Sequence, residues 1–326
     1  MKKIAVFRGL YLGDLVAATG ALRALRRGYP RSEITLVSLP WATALGPHLS
    51  PYVDRVLPYT GAPGLDGGGN RVDLEEFLGR MRDERFDLAV NMHGKGPTST
   101  RLVARFEADK AASFVGGKGS SVPTLDVAVP WEGEAHESRK LLLLAENVGG
   151  VSAGPEPELR VRAEDEGRAR ALLPVNSLKP LALVHPGASV AEKRWKEEGF
   201  RRVAESLAHL GYTVAVTGSA REKELTRRVA TYRSLDFGDL TCLSTLIALV
   251  AQASLFISND TGPAHLAYAL KIPSVTIFGP STNVERWGPL NRKRHAVLYG
   301  DPISSVSFND VLHSVEELTT GRERSA

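Results

Sequence analysis

The sequence predicts an α/β fold of two doubly wound parallel-sheet domains facing each other across a central cleft. Three observations lead there. Short β-rich runs alternate with amphipathic helical stretches, the pattern of a parallel sheet covered by helices on both faces. VGGVSAGPEPELRV (148–161), rich in Gly, Pro and small residues, reads as an interdomain linker near mid-chain, between halves each about the size of one such domain. Glycines beside hydroxyl or charged residues recur where the strand runs end, which is where open α/β sheets bind their ligands.

The strand runs of the first half are KIAVF (3–7), EITLV (33–37) and DLAVNM (87–92). Those of the second are LALVH (181–185), YTVAVT (212–217), SLFIS (254–258) and SVTIF (274–278). Helical periodicity is plain in LVAATGALRALRRGY (15–29), with Leu15, Ala18, Leu22 and Leu25 on one face. GAPGLDGGGN (61–70) has too little apolar content to be anything but a loop. These signals predict an N-terminal domain over 1–155 and a C-terminal one over 156–326.

With 326 residues the chain exceeds the usual size of one domain. Its 43% hydrophobic and 24% charged residues are ordinary for a globular protein, and no apolar run approaches bilayer length. The first strand starts at Lys3 without a signal-peptide pattern, so a cytoplasmic location is expected. A single cysteine, Cys242, excludes an internal disulfide and a cysteine-based zinc site, and it reads as a small buried apolar residue. The net charge of +4 comes from 41 basic and 37 acidic residues interspersed along the chain, which suits anionic substrates or anionic headgroups. No basic block with interleaved aromatics marks nucleic acid as a partner.

After the first strand, Gly9 and Gly13 lack the spacing and the third glycine of GxGxxG, which counts against a nicotinamide oxidoreductase. Gly13 is followed by Asp14, a carboxylate at a helix start. It serves either as an N-cap worth on the order of 1 kcal/mol or as a general base on the cleft wall, and the two readings are compatible. In NMHGKGPTSTRL, His93, Lys95 and Arg101 are acceptor-side candidates for an anionic group, or members of a polar loop.

The second half is richer. Gly187, Ala188 and Ser189 offer backbone N–H groups and a hydroxyl beside Lys193 and Arg194, a phosphate cradle built without a Walker motif. Trp195 there is a packing residue. In TGSAREKEL, Glu222 or Glu224 heads the next helix, placed to hold ribose hydroxyls or merely to favour the positive helix end. SNDTGPAHLA (258–267) puts Asp260, Thr261 and the first free N–H groups of a helix starting near Gly262 at one crevice, an anion site or a simple cap, with His265 following. FGPST closes the series. Four such strand ends in one domain read together as a nucleotide-diphosphate site.

LGD after the first strand, HPGAS followed by KRW, and DTGPAHLAYALKIPSVTIFGPS followed by ERWGP resemble glycosyltransferase family 9, whose best-known members are ADP-heptose:lipopolysaccharide heptosyltransferases. The likeness runs over most of the chain and is most specific in residues 181–290. It implies the GT-B architecture: two Rossmann-like domains, acceptor on the first and nucleotide sugar on the second. It also implies an inverting transfer with no cofactor and no metal site of the DxD type, stimulation by magnesium being compatible with it. By position, the resemblance makes Asp14 the catalytic base, Lys193 the holder of the donor phosphates and Glu222 the acid on the ribose. Asp260, Thr261, Gly262 and His265 match the DTG-x-x-H element, with Thr261 and Gly262 on the pyrophosphate and Ser189 as a further phosphate contact. Gly13 belongs to the acceptor side. Where the family often has Gln-Gly, this chain has His93-Gly94, a departure on that side.

The implied reaction moves heptose from ADP-heptose onto the lipopolysaccharide core or another surface glycan. A lipid-linked acceptor would bring the enzyme peripherally to the inner face of the cytoplasmic membrane. The final helix, near 308–320, is expected to pack back on the first domain. An alternative is a nucleotide-sugar-binding protein that has lost catalysis, motivated by His93.

Overall fold

A computed structural model of the chain describes residues 1–62, 64, 65, 71–116, 125–175 and 178–323. The chain forms two compact units, Met1–Arg160 and Val161–Ala326. Each holds one six-stranded sheet in which all pairings are parallel.

In the first unit the strands are β1 (Lys3–Phe7), β2 (Glu33–Ser38), β3 (Arg55–Pro58), β4 (Leu88–Asn91), β5 (Lys110–Val115) and β6 (Val127–Pro130), in the order β3-β2-β1-β4-β5-β6. β1 lies between β2 and β4, with Ile4 opposite both Ile34 and Leu88. Helices cover both faces, so the central strands read as unbroken apolar runs. Phe7, Tyr59, Phe77 and Phe106 interlock edge to face at 5.1–6.3 Å in the core of one face.

The second unit repeats the plan with β7 (Leu181–His185), β8 (Thr213–Gly218), β9 (Ser234–Gly238), β10 (Leu255–Asn259), β11 (Ser274–Phe278) and β12 (His295–Tyr299), ordered β12-β11-β10-β7-β8-β9. Val184, Phe200, Val203, Leu207, Ile257 and Ile277 form its core. The last helix, Phe308–Glu323, sends Val311 and Val315 into that same core, so its apolar side is buried within the second unit. Among the described residues no helix is long and apolar enough to cross a membrane.

The order of connection reverses between β1 and β4 in one sheet and between β7 and β10 in the other. Beyond the carboxyl ends of such a strand pair lies the crevice where doubly wound sheets take ligands. The loops after β1, β4, β7 and β10 are therefore the ones that matter.

Local departures from the sequence reading have physical causes. The helix expected over 15–29 is two helices, Leu12–Ala17 and Thr19–Gly28. At the break, the Thr19 hydroxyl donates to the carbonyl of Val16 at 2.7 Å and accepts the N–H of Glu158 at 2.9 Å. The boundary between the two units falls at Arg160/Val161, within the stretch 148–161, and Arg23 ties that stretch down on the first unit's side by donating to Glu158 at 2.8 Å, to the Gly154 carbonyl at 2.9 Å and to the Glu156 carbonyl at 3.1 Å. GAPGLDGGGN lies largely outside the described residues.

Candidate active site

At the second reversal, β7 runs into Pro186, Gly187, Ala188 and Ser189, and β10 into Asp260 and the helix Gly262–Ala269. Asn259 ties the two loops together. Its side chain donates to the carbonyls of Pro186 at 2.8 Å and Gly187 at 3.3 Å and accepts the N–H of Trp195 at 2.9 Å. Trp195 is a packing residue as expected, buried against Phe200 with its indole N–H on the carbonyl of Val306 at 2.9 Å.

Lys193 reaches across to Asp260, Nζ to Oδ2 at 2.8 Å, and the Thr282 hydroxyl donates to the same oxygen at 2.7 Å. Asp260 is nearly buried, whereas the lysine side chain keeps 26% of its surface exposed. A buried carboxylate thus holds a cation at the mouth of the crevice. Thr261 occupies the N-cap position of the following helix in extended backbone, yet its side chain makes no capping hydrogen bond, and that of Asp260 is spent on Lys193 and Thr282. The simple-cap reading of both residues is therefore corrected. Exposed N–H groups at such a helix start attract anions.

Ser189 is exposed at the loop tip. Of the two glutamates left open, Glu222 faces the loop: a Cβ at Gly187 would overlap its Oε1. Its Oε2 accepts from the Ser219 N–H at 2.9 Å and hydroxyl at 2.8 Å, a capping box that fixes the carboxylate. Glu224 instead pairs with Arg227 on the surface at 2.8 Å. Beneath Glu222, burial holds the His185 imidazole below the ordinary histidine value, against the opposing pull of the Glu222 carboxylate and a hydrogen bond with Thr217. His265 is nearly buried, edge-on to Tyr268 at 5.3 Å and to Trp287 at 6.3 Å. Cys242 corrects an expectation. It is exposed rather than buried, because it is the N-cap residue of Leu243–Gln252 in the loop after β9, an edge strand. The Thr245 hydroxyl at 3.2 Å lowers the pKa of its thiol.

At the first reversal, Gly13 and Asp14 lie in the first turn of Leu12–Ala17, whose N-cap is Tyr11. Asp14 is thus not a cap, which corrects that reading. Its carboxylate faces Arg8 at 3.5 Å and is 21% exposed. His93 stacks flat on Phe7, ring centroids 5.1 Å apart, and its backbone N–H donates to Asn91 Oδ1 at 3.1 Å. Lys95 and Arg101 are exposed at the end of β4 and in the helix Pro97–Ala104.

The sequence reading passed over Arg8, Glu137, Asn259 and Thr282. Asn259 and Thr282 stand inside the NDTG and FGPST stretches that drew attention for their neighbours. Arg8 carried a signal as well, a charge directly after an apolar strand, whereas Glu137 sits in AHESRK with nothing local to mark it. Among the described residues no group of three His, Cys, Asp or Glu side chains could hold a metal ion.

Comparison with known proteins gives this arrangement its context. The family model for glycosyltransferase family 9 (heptosyltransferase) matches residues 75–309. Lipopolysaccharide heptosyltransferase 2 of Escherichia coli (strain K12) is 25% identical over 299 residues, covering 86% of this chain and 83% of that protein. Two solved structures share the fold along the whole chain. The E. coli ADP-heptose lipopolysaccharide heptosyltransferase II superposes with a TM-score of 0.80 at 21% identity, covering 99% of this chain and 100% of that one. A glycosyltransferase family 9 structure from Veillonella parvula DSM 2008 gives a TM-score of 0.84 at 22% identity, covering 97% of each chain. The fold is the GT-B arrangement of two Rossmann-like domains, and the chain belongs to glycosyltransferase family 9, the heptosyltransferase family.

Proposed function

We propose that this enzyme transfers heptose from ADP-heptose to a hydroxyl of the lipopolysaccharide core, or of another lipid-linked surface glycan, with inversion at the anomeric carbon. The observation that carries the proposal is the Lys193–Asp260 pair, 2.8 Å long, beside the start of Gly262–Ala269 at the reversal point of the second sheet. It offers a cation and the N–H of Gly262 at the positive helix end to a diphosphate at one place. The heptosyltransferase relatives supply the sugar, and the ADP-heptose enzyme of like fold supplies the nucleotide.

In this reading Asp14 takes the proton of the acceptor hydroxyl, whose oxygen attacks the anomeric carbon opposite the diphosphate. The bond from that carbon to the diphosphate oxygen breaks, and its electron pair leaves with ADP. Lys193, the Thr261 hydroxyl and the N–H of Gly262 stabilise the departing charge, with Ser189 as a further phosphate contact. Glu222 holds the ribose hydroxyls, and His265 supports the helix start from within. Gly13, His93, Lys95 and Arg101 line the acceptor side. Protein groups carry all of the charge in this scheme, so turnover that survives EDTA is expected. The site of action is the cytoplasmic side, in peripheral contact with the membrane that bears the acceptor, and it involves no nucleic acid.

Calorimetry against ADP, UDP, GDP and ADP-heptose, followed by transfer to a lipopolysaccharide-core acceptor, tests this. ADP and ADP-heptose should bind most tightly and heptose should transfer. Tighter binding of UDP or GDP overturns the choice of nucleotide. Binding of ADP-heptose without transfer to any core acceptor would restore the reading as a nucleotide-sugar-binding protein.

A further inference from the structure

We infer that Arg8, Glu137 and Lys140 are positioning residues for the transfer reaction, forming a buried line of alternating charge that holds the Asp14 carboxylate and keeps Arg8 paired when Asp14 gives up its own charge. The inference rests on the reading of Asp14 as the base.

Arg8 leaves the end of β1 with its side chain wholly buried. Nε donates to the backbone carbonyl of Asp14 at 2.7 Å, fixing the first turn of Leu12–Ala17, and Nη1 donates to the carbonyl of Met92 just past β4. Nη2 faces two carboxylates, Glu137 Oε1 at 3.2 Å and Asp14 Oδ1 at 3.5 Å. One guanidinium therefore spans both loops of the first reversal and the start of the helix Glu137–Asn147. Glu137 is 4% exposed, and its other oxygen meets Lys140 Nζ at 3.1 Å. Lys140, 1% exposed, lies over the ring of Trp131 at 4.1 Å. The sequence of charges is Lys140 positive, Glu137 negative, Arg8 positive, Asp14 negative, and only the last reaches solvent to any extent, at 21%.

Stability alone is a weak reason for such a line, since apolar side chains of similar volume often serve as well as buried ion pairs or better. The chemistry supplies a stronger one. A general base loses its negative charge when it takes a proton. If Asp14 were the sole counter-ion of Arg8, each turnover would leave a fully buried cation uncompensated. Glu137 is the nearer partner of that guanidinium and takes no part in the proton transfer, so Arg8 keeps a carboxylate at 3.2 Å throughout, one that it shares with Lys140. Lys140 engages the other oxygen of Glu137 and so turns Oε1 towards Arg8. Among the described residues the ion pair of Asp14 is made through Oδ1, and its side chain keeps 21% of its surface exposed, which is the side an acceptor hydroxyl would use.

The test is Glu137→Gln, which removes the charge and keeps the shape, measured for kcat, acceptor KM, ADP-heptose affinity and Tm. We expect kcat to fall at least tenfold with ADP-heptose affinity unchanged, and Glu137→Asp to recover part of the loss. Added to Asp14→Asn, Glu137→Gln should change the residual rate less than twofold, because it acts through Asp14. Wild-type kcat in Glu137→Gln beside an inactive Asp14→Asn overturns the inference and leaves the base standing. Full kcat in Asp14→Asn overturns the base, and the inference falls with it. A kcat loss matched by a loss of donor affinity, or fully additive losses in the double variant, marks Glu137 as merely structural and also overturns it. Should Glu137→Gln fail to fold, Lys140→Met is measured by the same criteria: a lower kcat at unchanged donor affinity supports the inference, and unchanged kcat overturns it.

Discussion

The two units share a sheet plan and invert its charge. In the first, the ion pair at the reversal point has a buried cation, Arg8, and a carboxylate, Asp14, 21% exposed. In the second, the anion Asp260 is the buried member at 7%, and the cation Lys193 is 26% exposed. In each case the member facing solvent is the one the proposed reaction uses, and the buried member holds it in place. Topology chooses where a ligand meets the chain, and the sign of the buried partner decides whether that place presents a proton acceptor or a phosphate binder.

The largest effect expected from breaking this inverted pairing is on the exposed members. Asp14→Asn should lower kcat by about 10³-fold, within the range for loss of a general base, while calorimetry finds ADP-heptose bound as tightly as in the wild type. Lys193→Met should lower kcat by about 10²-fold and weaken ADP binding as well, since the leaving group and the bound donor present the same phosphates. Equal weakening of donor binding by both substitutions would break the division of labour between the units.

The inner strands of both sheets were readable from sequence because residues such as Ile4, Val6, Leu183 and Ile257 are fully buried and form apolar runs. Four of the five strands passed over, β3, β6, β9 and β12, are sheet edges, where most side chains are only partly buried or exposed and the apolar run breaks up. The fifth, β5, is KAASFV, whose small residues give little signal. In the second site the sequence marked both Lys193 and Asp260, since each stands in a loop of unusual composition. Their mutual contact was hidden by a separation of 67 residues. In the first site Arg8 and Glu137 lie 129 residues apart, and a buried ion pair at that separation leaves no local pattern to read.

The second unit also buries an imidazole that acid should find. Burial, with the neighbouring Arg294, pushes the His295 pKa down to about 4, and its Nδ1 lies 2.9 Å from the Ser274 hydroxyl. Its folded pKa is below the unfolded one, so as pH falls past about 6.5 the unfolded chain takes up a proton that the folded chain refuses. Stability conferred by the neutral ring is complete above that pH, declines by up to about 1.4 kcal/mol per pH unit below it, and levels off below about 4. His295→Asn removes the titration. In urea melts the stability gap between wild type and variant should shrink by about 2 kcal/mol from pH 7 to pH 5. A gap of the same size at both pH values would count against a buried neutral His295.

The smallest effects expected concern a glycine in the loop after the leading strand of each unit, and they sharpen the contrast between a rigid loop on the proposed donor side and a more yielding one on the proposed acceptor side. In the second unit a Cβ on Gly187 would overlap Glu222 Oε1, and the capping box with Ser219 leaves that carboxylate little room to move. Gly187→Ala should therefore raise the donor KM about tenfold, roughly 1.4 kcal/mol of lost binding, with a smaller change in kcat. In the first unit a Cβ on Gly9 would approach Tyr59 Cδ1 at 3.2 Å, a contact that a slight shift of the ring relieves. Gly9→Ala should leave donor KM unchanged and alter kcat less than about twofold, a few tenths of a kcal/mol. Steady-state kinetics on the two variants reads both numbers. A larger loss from Gly9→Ala than from Gly187→Ala would mean that close backbone approach matters on the side of the base, and that Glu222 tolerates displacement from the ribose it is proposed to hold.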